Sequence, residues 1–593
     1  MSIPESGKLE LAVNDVPSES GGLNNFIGAG IHVHAGHFAE RQCRVICWAI
    51  VIGLGALQAW SHRFQVDHDG VNYLDIADNY ASGAWGAAIN AYWSPLYSWL
   101  LASGASLFRL SRSSEPVFLH LINFTSYLCA YRCFEFFSSQ LLRARLGAGA
   151  SASFSGHTWR LLGLGLFLYS SLYLTNHGGS TPDITLAVFV YLAMGLLLRI
   201  WSGHVSWSTF CCYGAALGFG YLAKTVMFLL AFVFLAVAAA VAFRKHRGAL
   251  AFFSAPICFL LVAAPWIITL SLAKGHFTYG DSGRMAYARH VQPQAAPFAW
   301  GGQTATSEHL PHPPRSLGDS PPVIEFATPL SGTFPLWYDG SYWLEGEKIH
   351  FSLEGQLRVL RRSAINYLEI LNNQRENLVL FLLLFFLQDS TFEYFRRLGQ
   401  LWPILLPPLA ALGLYALVLV EPRYVAPFLL VLWLSLYATI RPSVTNMMKF
   451  KIFVHRAVLA TIMVTCVVLL RGAISDAYSI LRASANEQAR VAESLQNLGI
   501  SNGRFVSLIG TSRDSFDWAR LAGLRIIAIV PNENANQYWF GTSGTQERVN
   551  GYFAKTGAVA IITDNVPAGA VSSGWKRIGQ TSYSIYPLPT KTP

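Results

Sequence analysis

Apolar and polar positions alternate along this chain in long blocks rather than at short period. Runs of about twenty predominantly apolar residues are long enough to cross a hydrocarbon core of about 30 Å as helix. Such runs occur near 43–62, 116–138, 159–177, 182–200, 207–222, 226–243, 250–272, 376–392, 400–420, 425–440 and 453–472. The pattern predicts about eleven membrane-spanning helices. A shorter apolar segment, 94–110 ("SPLYSWLLASGASLFRL"), ends in a basic flank. After about 475 the pattern changes: "ANEQARVAESLQNLG" has helical period, and "RFVSLIG", "LRIIAIV" and "AVAIITD" are short β-branched runs with helical patterns between them. Strands alternating with helices predict a small parallel α/β domain over 475–593.

Composition agrees with the spans. Hydrophobic types make up 52% of the 593 residues and charged types only 13%, against about 25% charged in soluble proteins. The net charge of +10 comes from residues scattered between apolar runs. No basic stripe is present, so the charge points to membrane topology rather than to nucleic acid. Arg41, Arg44, Arg143, Arg145, Arg160, Arg199, the "RKHR" at 244–247, Arg396, Arg397, Arg441, Lys449 and Lys451 all flank spans. The positive-inside rule places them together in the cytoplasm if the amino terminus is inside and 94–110 does not cross. That segment is then an interfacial or re-entrant helix, and residues 63–115, 273–375 and everything after 475 face outward. Residues 1–40, rich in Gly, Ser, Asn and His, lack the form of a cleavable signal and are expected to be a disordered cytoplasmic tail. The eight cysteines lie in or beside apolar segments and suggest neither a disulfide framework nor a zinc site.

The same parity gathers ionisable residues at outward span ends: Asp67 and Asp69 after the first span, Asp183 in "TPDITLAVF", Lys224 in "GYLAKTVMF", and Glu421, Arg423 and Tyr424 in "VEPRYVAPF". Ionisable groups at membrane depth are costly and are candidates for function. Each also has a plainer reading. Asp75 and Asp78 fit the wet side of an amphipathic helix. Asp183 fits a helix start after Thr181-Pro182. Lys224 can snorkel to the interface, and Arg423 can pair with Glu421. The string "YGDSGRM" at 279–285 echoes a serine-protease motif without the histidine and β-barrel that chemistry needs. The aromatics of "FPLWYDGSYWLEG" at 334–346 suit sugar stacking, an interfacial belt or a packed loop.

The order of these features resembles the C-type (GT-C) polytopic glycosyltransferases, in particular the family of protein O-mannosyltransferases and lipid A aminoarabinose transferases. "DGVNYLDIADNY" is similar to the family's first outer loop at Asp69, Tyr73, Asp75 and Ala77. "SGAWGAAINAYWSPLYSWLL", Asp183, Lys224 and "EPRY" follow in the family's order over roughly residues 45–440. Two positions depart: Gly70 stands where the family often has Glu, and Trp93-Ser94 where it often has Lys or His before Pro. The resemblance implies a GT-C-like transmembrane domain over 41–474, with outer loops 63–115 and 273–375, in a bacterial inner membrane. It implies transfer of a sugar from a polyprenyl-phosphate donor to a lipid, glycan or protein hydroxyl at the extracytoplasmic face, with inversion. In that chemistry Asp69 is the expected base, with Asp67 second. Lys224, Arg423 and Tyr424 are expected at the donor phosphate, and Tyr73, Trp93, Asp183 and Glu421 at substrate. The "DHD" string also permits Mg²⁺ or Mn²⁺ on Asp67 and Asp69. The alternative is a polytopic transporter or flippase, for which inverted repeats are expected; none is evident by eye.

Overall fold

The structure is a computed structural model. It describes residues 20–146, 154–176, 179–244, 248–292, 312, 314–326, 331–343, 345–346, 348–441, 447–481, 487–510, 516–570 and 572–589. Residues 1–19 of the expected tail lie outside this set. From Ser20 the chain is helical, so the tail expectation fails for residues 20–40. By internal contacts the chain divides into residues 1–50 and residues 51–593. Every helix after the first, and the whole sheet, belong to the second unit.

The protein is mostly helical, with a sheet built chiefly from its carboxy-terminal part. Its helices include α1 (Ser20–His62), α2 (His68–Ala81), α3 (Pro95–Phe108), α4 (Glu115–Leu146), α5 (Gly156–Leu168, continued by a π turn over Tyr169–Leu174), α6 (Asp183–Trp201), α7 (Trp207–Ala223), α8 (Val226–Arg244), α9 (Ser254–Lys274) and α10 (Ser282–His290). Further along the chain are α11 (Leu353–Asn373), α12 (Arg375–Phe386), α13 (Thr391–Gln400), α14 (Trp402–Ala416), α15 (Pro422–Ala438) and α16 (Met447–Leu481). Every apolar run of the sequence is mostly helix. Among the described residues five helical stretches are long and apolar enough to cross a membrane by length and composition, and six if the bent pair α13–α14 is one span. The apolar run 376–392 is cut short because Asp389 pairs with Arg397 (2.8 Å) and Ser390 starts the next helix by accepting from the Glu393 amide.

Local chemistry sets the helix ends. Ser155 and Ser206 cap α5 and α7 through side-chain oxygens, and Pro95 and Pro422 occupy first turns, where a missing N–H costs nothing. Gly214 lets α7 lie against α9: a Cβ there would sit 2.0 Å from the Ala255 carbonyl oxygen. Small residues at such crossings permit close backbone approach in apolar surroundings. The segment 94–110 forms α3, which packs on α2.

The sheet corrects one expectation. Its strands are β1 (Arg315–Asp319), β2 (Pro322–Glu325), β3 (Phe505–Ile509), β4 (Arg525–Val530), β5 (Ala560–Thr563), β6 (Lys576–Arg577) and β7 (Ser584–Pro587), in the order β1-β2-β4-β3-β5-β7-β6. Only β4-β3-β5 is parallel; the flanking pairs are antiparallel. The sheet is therefore mixed. Its β1–β2 edge comes from the loop 273–375 and not from the terminal segment. Pairing across that distance in sequence leaves no local trace.

The sheet packs on the first outer loop. Val71, Leu74, Trp93 and Tyr97 share one core with Ile324, Val506, Leu508, Trp518 and Ile526. At this seam α17 (Asp517–Leu521) buries Arg520, which is 4% exposed. Its Nη1 lies 2.6 Å from Asp75 Oδ1 and 3.1 Å from Asp78 Oδ2, and its Nε donates to Glu115 Oε2 at 2.9 Å. Asp75 also accepts from the Thr333 amide (2.7 Å) and hydroxyl (2.9 Å). Asp75 and Asp78 thus bind the carboxy-terminal domain, and the wet-face reading fails for buried Asp75.

Replacing Arg520 by Met leaves buried Asp75 without its cation, while Arg112 stays on Asp78 and Glu115, and loss of one partner from a buried ionic cluster costs on the order of 3–5 kcal/mol. Limited proteolysis and thermal unfolding of the purified full chain should show a loosened carboxy-terminal domain; an unchanged melting profile would contradict the clasp. Burial also pushes the Asp517 carboxyl up to about 7 from 3.8. The folded state then holds a proton that the unfolded chain has lost, so this residue's contribution declines as pH rises from about 4 to about 7. Subtracting the Asp517→Asn melting curve from the wild-type curve should isolate that decline, and a flat difference refutes it.

Candidate active site

Asp183 is the first residue of α6 and is 2% exposed. Its carboxylate contacts Lys224 Nζ through Oδ1. Its Oδ2 accepts from Thr181 Oγ1 (2.8 Å) and lies 3.7 Å from Arg423 Nη1. One buried anion therefore gathers two cations from two other places in the chain. Lys224 sits in extended backbone at the break between α7 and α8. Arg423 is the second residue of α15, after Glu421 as its cap position and Pro422. The ring of Tyr424 lies under both cations, 3.6 Å from Lys224 Nζ and 5.1 Å from Arg423 Cζ. Tyr415 stacks on Tyr424 from behind at 5.5 Å.

Asp69 faces this group from α2. Its Oδ2 accepts from Arg423 Nη2 at 3.2 Å, and its Oδ1 lies 3.3 Å from His68 Nε2. Asp67 has a different role. It caps α2, with Oδ1 accepting from the Gly70 amide (2.7 Å) and Oδ2 from the Ser180 amide (3.1 Å), while its own amide donates to Ser180 Oγ (3.2 Å). Burial, with the Asp69 charge beside it, holds the Asp67 carboxyl above the ordinary range. A Cβ on Gly70 would sit 2.3 Å from Ser180 Cβ, so this contact leaves no room for the Glu of the family pattern.

These residues border a cavity of about 660 Å³. The first outer loop contributes His68, Asp69, Tyr92 and Trp93 to its wall, and Lys224, Thr225, Glu421, Arg423 and Tyr424 line it too. Val226, Leu229, Leu414, Leu417, Val418 and Leu419 form an apolar stretch of the same wall. Of the residues singled out from the sequence, Asp69, Trp93, Lys224, Glu421, Arg423 and Tyr424 line the cavity. Asp67, Tyr73 and Asp183 do not. Tyr73 is 5% exposed and packs edge-on against Trp93 and Tyr97. Asp183 holds the cations from behind the wall. Asp67, Tyr73 and Asp183, expected at the base or at substrate, thus sit behind the lining rather than on it.

Several lining residues were not expected from the sequence. Arg284, Arg289 and His290 enter on α10, Arg362 and Gln356 on α11, and Trp337 from the 334–346 aromatics. The 279–285 string supplies Tyr279, Ser282 and Arg284 to the wall; its signal was the cluster of basic residues that follows it, not its protease-like letters. Burial lowers His290 to about 4, so it is neutral at neutral pH. Among the described residues, the wall then carries five cations (Lys224, Arg284, Arg289, Arg362 and Arg423) against two carboxylates (Asp69 and Glu421). A concave site with this balance favours an anionic ligand.

The Asp67–Asp69 pair does not fit a divalent ion. Hard cations need free carboxylate oxygens, whereas both oxygens of Asp67 accept backbone amides and Asp69 faces Arg423. Among the described residues no group of three or more His, Cys, Asp or Glu side chains is placed to hold a metal.

No family model matches the chain, and no curated protein matches it. Solved structures similar to it include two of one protein. ArnT from Cupriavidus metallidurans in the apo state has a TM-score of 0.49 at 11% identity, covering 91% of this chain and 98% of that one. The same protein bound to undecaprenyl phosphate has a TM-score of 0.43 at 12% identity, covering 91% and 97%.

The geometry ranks the carboxylates. Asp183→Asn leaves two cations without their shared counter-ion in a buried setting and should cost on the order of 3–5 kcal/mol. Asp69→Asn faces the cavity and should cost clearly less. Thermal unfolding of the two variants side by side decides it; equal losses, or the reverse order, would count against Asp183 as the anchor.

Proposed function

We propose that the protein is a multi-pass membrane glycosyltransferase that moves a sugar from a polyprenyl-phosphate donor to an acceptor hydroxyl at the extracytoplasmic face. The observation that carries this reading is one cavity wall that joins a carboxylate, a cation pair and an apolar strip. The strip, from Val226 to Leu229 and Leu414 to Leu419, suits the lipid chain. Lys224 and Arg423 suit the phosphate, fixed in place before it arrives by Asp183 and Tyr424. Asp69 stands next to that phosphate site, where the anomeric carbon would be held.

The acceptor hydroxyl is a weak nucleophile. Its oxygen bonds to the anomeric carbon while Asp69 takes its proton, and the bond from that carbon to the phosphate oxygen breaks. The electron pair leaves with the phosphate, giving polyprenyl phosphate as product. Proton transfer to a positioned base contributes typically 10²–10⁴-fold. Cations preorganised where charge gathers supply the rest without reorganisation at the moment of reaction. Attack from the side opposite the phosphate inverts the anomeric centre. Trp93, Glu421 and the α10 cations line the remaining wall, where sugar and acceptor must sit. No step passes through a metal ion. The protein resides, on this reading, in a bacterial inner membrane with its amino terminus cytoplasmic.

The test is incubation of purified protein with a panel of polyprenyl-phosphate sugars, with donor consumption and product mass read by mass spectrometry. Asp69→Asn should lower transfer on the order of 10²–10⁴-fold with polyprenyl-phosphate binding kept. Asp67→Ser, which retains an N-cap oxygen, should keep most activity. Failure to consume any donor, or passage of an intact lipid-linked sugar across a bilayer by the Asp69→Asn protein, would sink the transferase reading in favour of a transporter.

A further inference from the structure

Asp69 has a side-chain neighbour at each carboxylate oxygen, and the two are not equivalent. Oδ2 accepts from Arg423 (3.2 Å) and Oδ1 faces His68 Nε2 (3.3 Å). Arg423 also lines the cavity beside Lys224. A phosphate that binds there competes with Asp69 for the guanidinium, and an arginine prefers planar two-point contact with such an oxyanion. Once the donor is in place, the Oδ2 contact is lost or weakened, and that oxygen becomes available to a hydroxyl proton. The carboxylate then needs another restraint to keep its aim.

His68 is the side chain placed to give it. It borders the cavity and rests edge-on against Trp337, with ring centroids 5.1 Å apart. Its backbone carbonyl accepts from Asn72 Nδ2 at 2.8 Å in the first turn of α2. Ring and backbone are thus both located before any ligand arrives. Resting on the transferase reading, we propose that His68 is a positioning residue for the base: its Nε2–H holds Asp69 Oδ1 while the donor phosphate takes up the Arg423 N–H that Oδ2 accepts. Binding of donor and release of the base are then one event. Before the donor arrives the carboxylate oxygen nearest the phosphate site is occupied by Arg423, and afterwards it is free and still aimed.

Three substitutions separate this role from packing. His68→Ala removes both ring and N–H. His68→Phe keeps a ring against Trp337 without the N–H. His68→Gln offers an N–H donor without the ring. The expected result is a fall in kcat on the order of 10–100-fold for Ala and Phe, the size that misplacement of a reacting group by about an ångström produces. The donor KM and the affinity for polyprenyl phosphate should stay near wild type, and Gln should restore most of kcat. If Phe is active and Gln is not, the ring's packing on Trp337 is what matters and the proposal is overturned. It is equally overturned if all three match wild type, or if the loss appears in donor KM alone. A wild-type protein that transfers nothing from the whole donor panel overturns the transferase reading together with this one, whereas normal wild-type transfer with indifferent His68 variants overturns only this one.

Discussion

The buried carboxylate of Asp183 is the constraint on which the site depends. It stands at the start of α6, where the first-turn amides favour negative charge, and it reaches a lysine from the α7–α8 break and an arginine from α15. None of these three could sit at this depth alone. A buried unpaired charge costs several kcal/mol even after relaxation. Together they are tolerable, and the tolerance requires that all three helices meet at one point. The ion cluster therefore specifies how α6, α7 and α15 converge. The cavity beside it is a consequence of that convergence.

A second cluster around Arg520 is chemically similar and has a different result. There Arg520 meets three carboxylates, two of them shared with Arg112, and Arg520 is 4% exposed. It is enclosed by the sheet and the first outer loop, and so offers a ligand almost no surface. Around Asp183 the ratio is reversed: cations outnumber the buried anion, and Arg423 is 31% exposed to the cavity. A closed cluster whose charged groups are spent on one another holds two parts of a fold together. An open cluster with an excess of cations retains binding capacity. Geometry and charge balance, rather than the mere presence of buried ions, separate structural from functional electrostatics here.

This distinction also explains what could be read from the sequence. The helices were legible because apolar length is a local property, and each apolar run is mostly helix. The meeting of Asp69, Lys224 and Arg423 was legible because topology puts span ends on one side and the ordered motifs name them. Asp75 was misread because its partner Arg520 lies more than 440 positions away, and a local pattern of acids on a helix looks the same whether the face is wet or paired. Asp67 was placed second as a base because a cap and a base share a side chain; only the two amides that fill its oxygens tell them apart. The β1–β2 edge of the sheet and the cations of α10 and α11 were missed for the same reason as Arg520. Their meaning comes from neighbours remote in sequence.

The two departures from the family pattern find physical causes in packing. Gly70 is required because α2 lies too close to Ser180 for any side chain, and that closeness is the same contact through which Asp67 binds the 179–180 backbone. Trp93 is held by its indole N–H on the Tyr338 carbonyl, which also accepts from Asn90, and Ser94 bonds Thr225 at 3.1 Å next to Lys224. A lysine at either of these two positions would have to displace a buried hydrogen bond to reach the cavity. The positive charge instead enters on α10, which the Asp281 amide ties to the Ala91 carbonyl at 2.7 Å. Loop 273–375 thus serves both parts of the molecule: its beginning completes the charge of the cavity, and its later strands complete the sheet that covers the first outer loop.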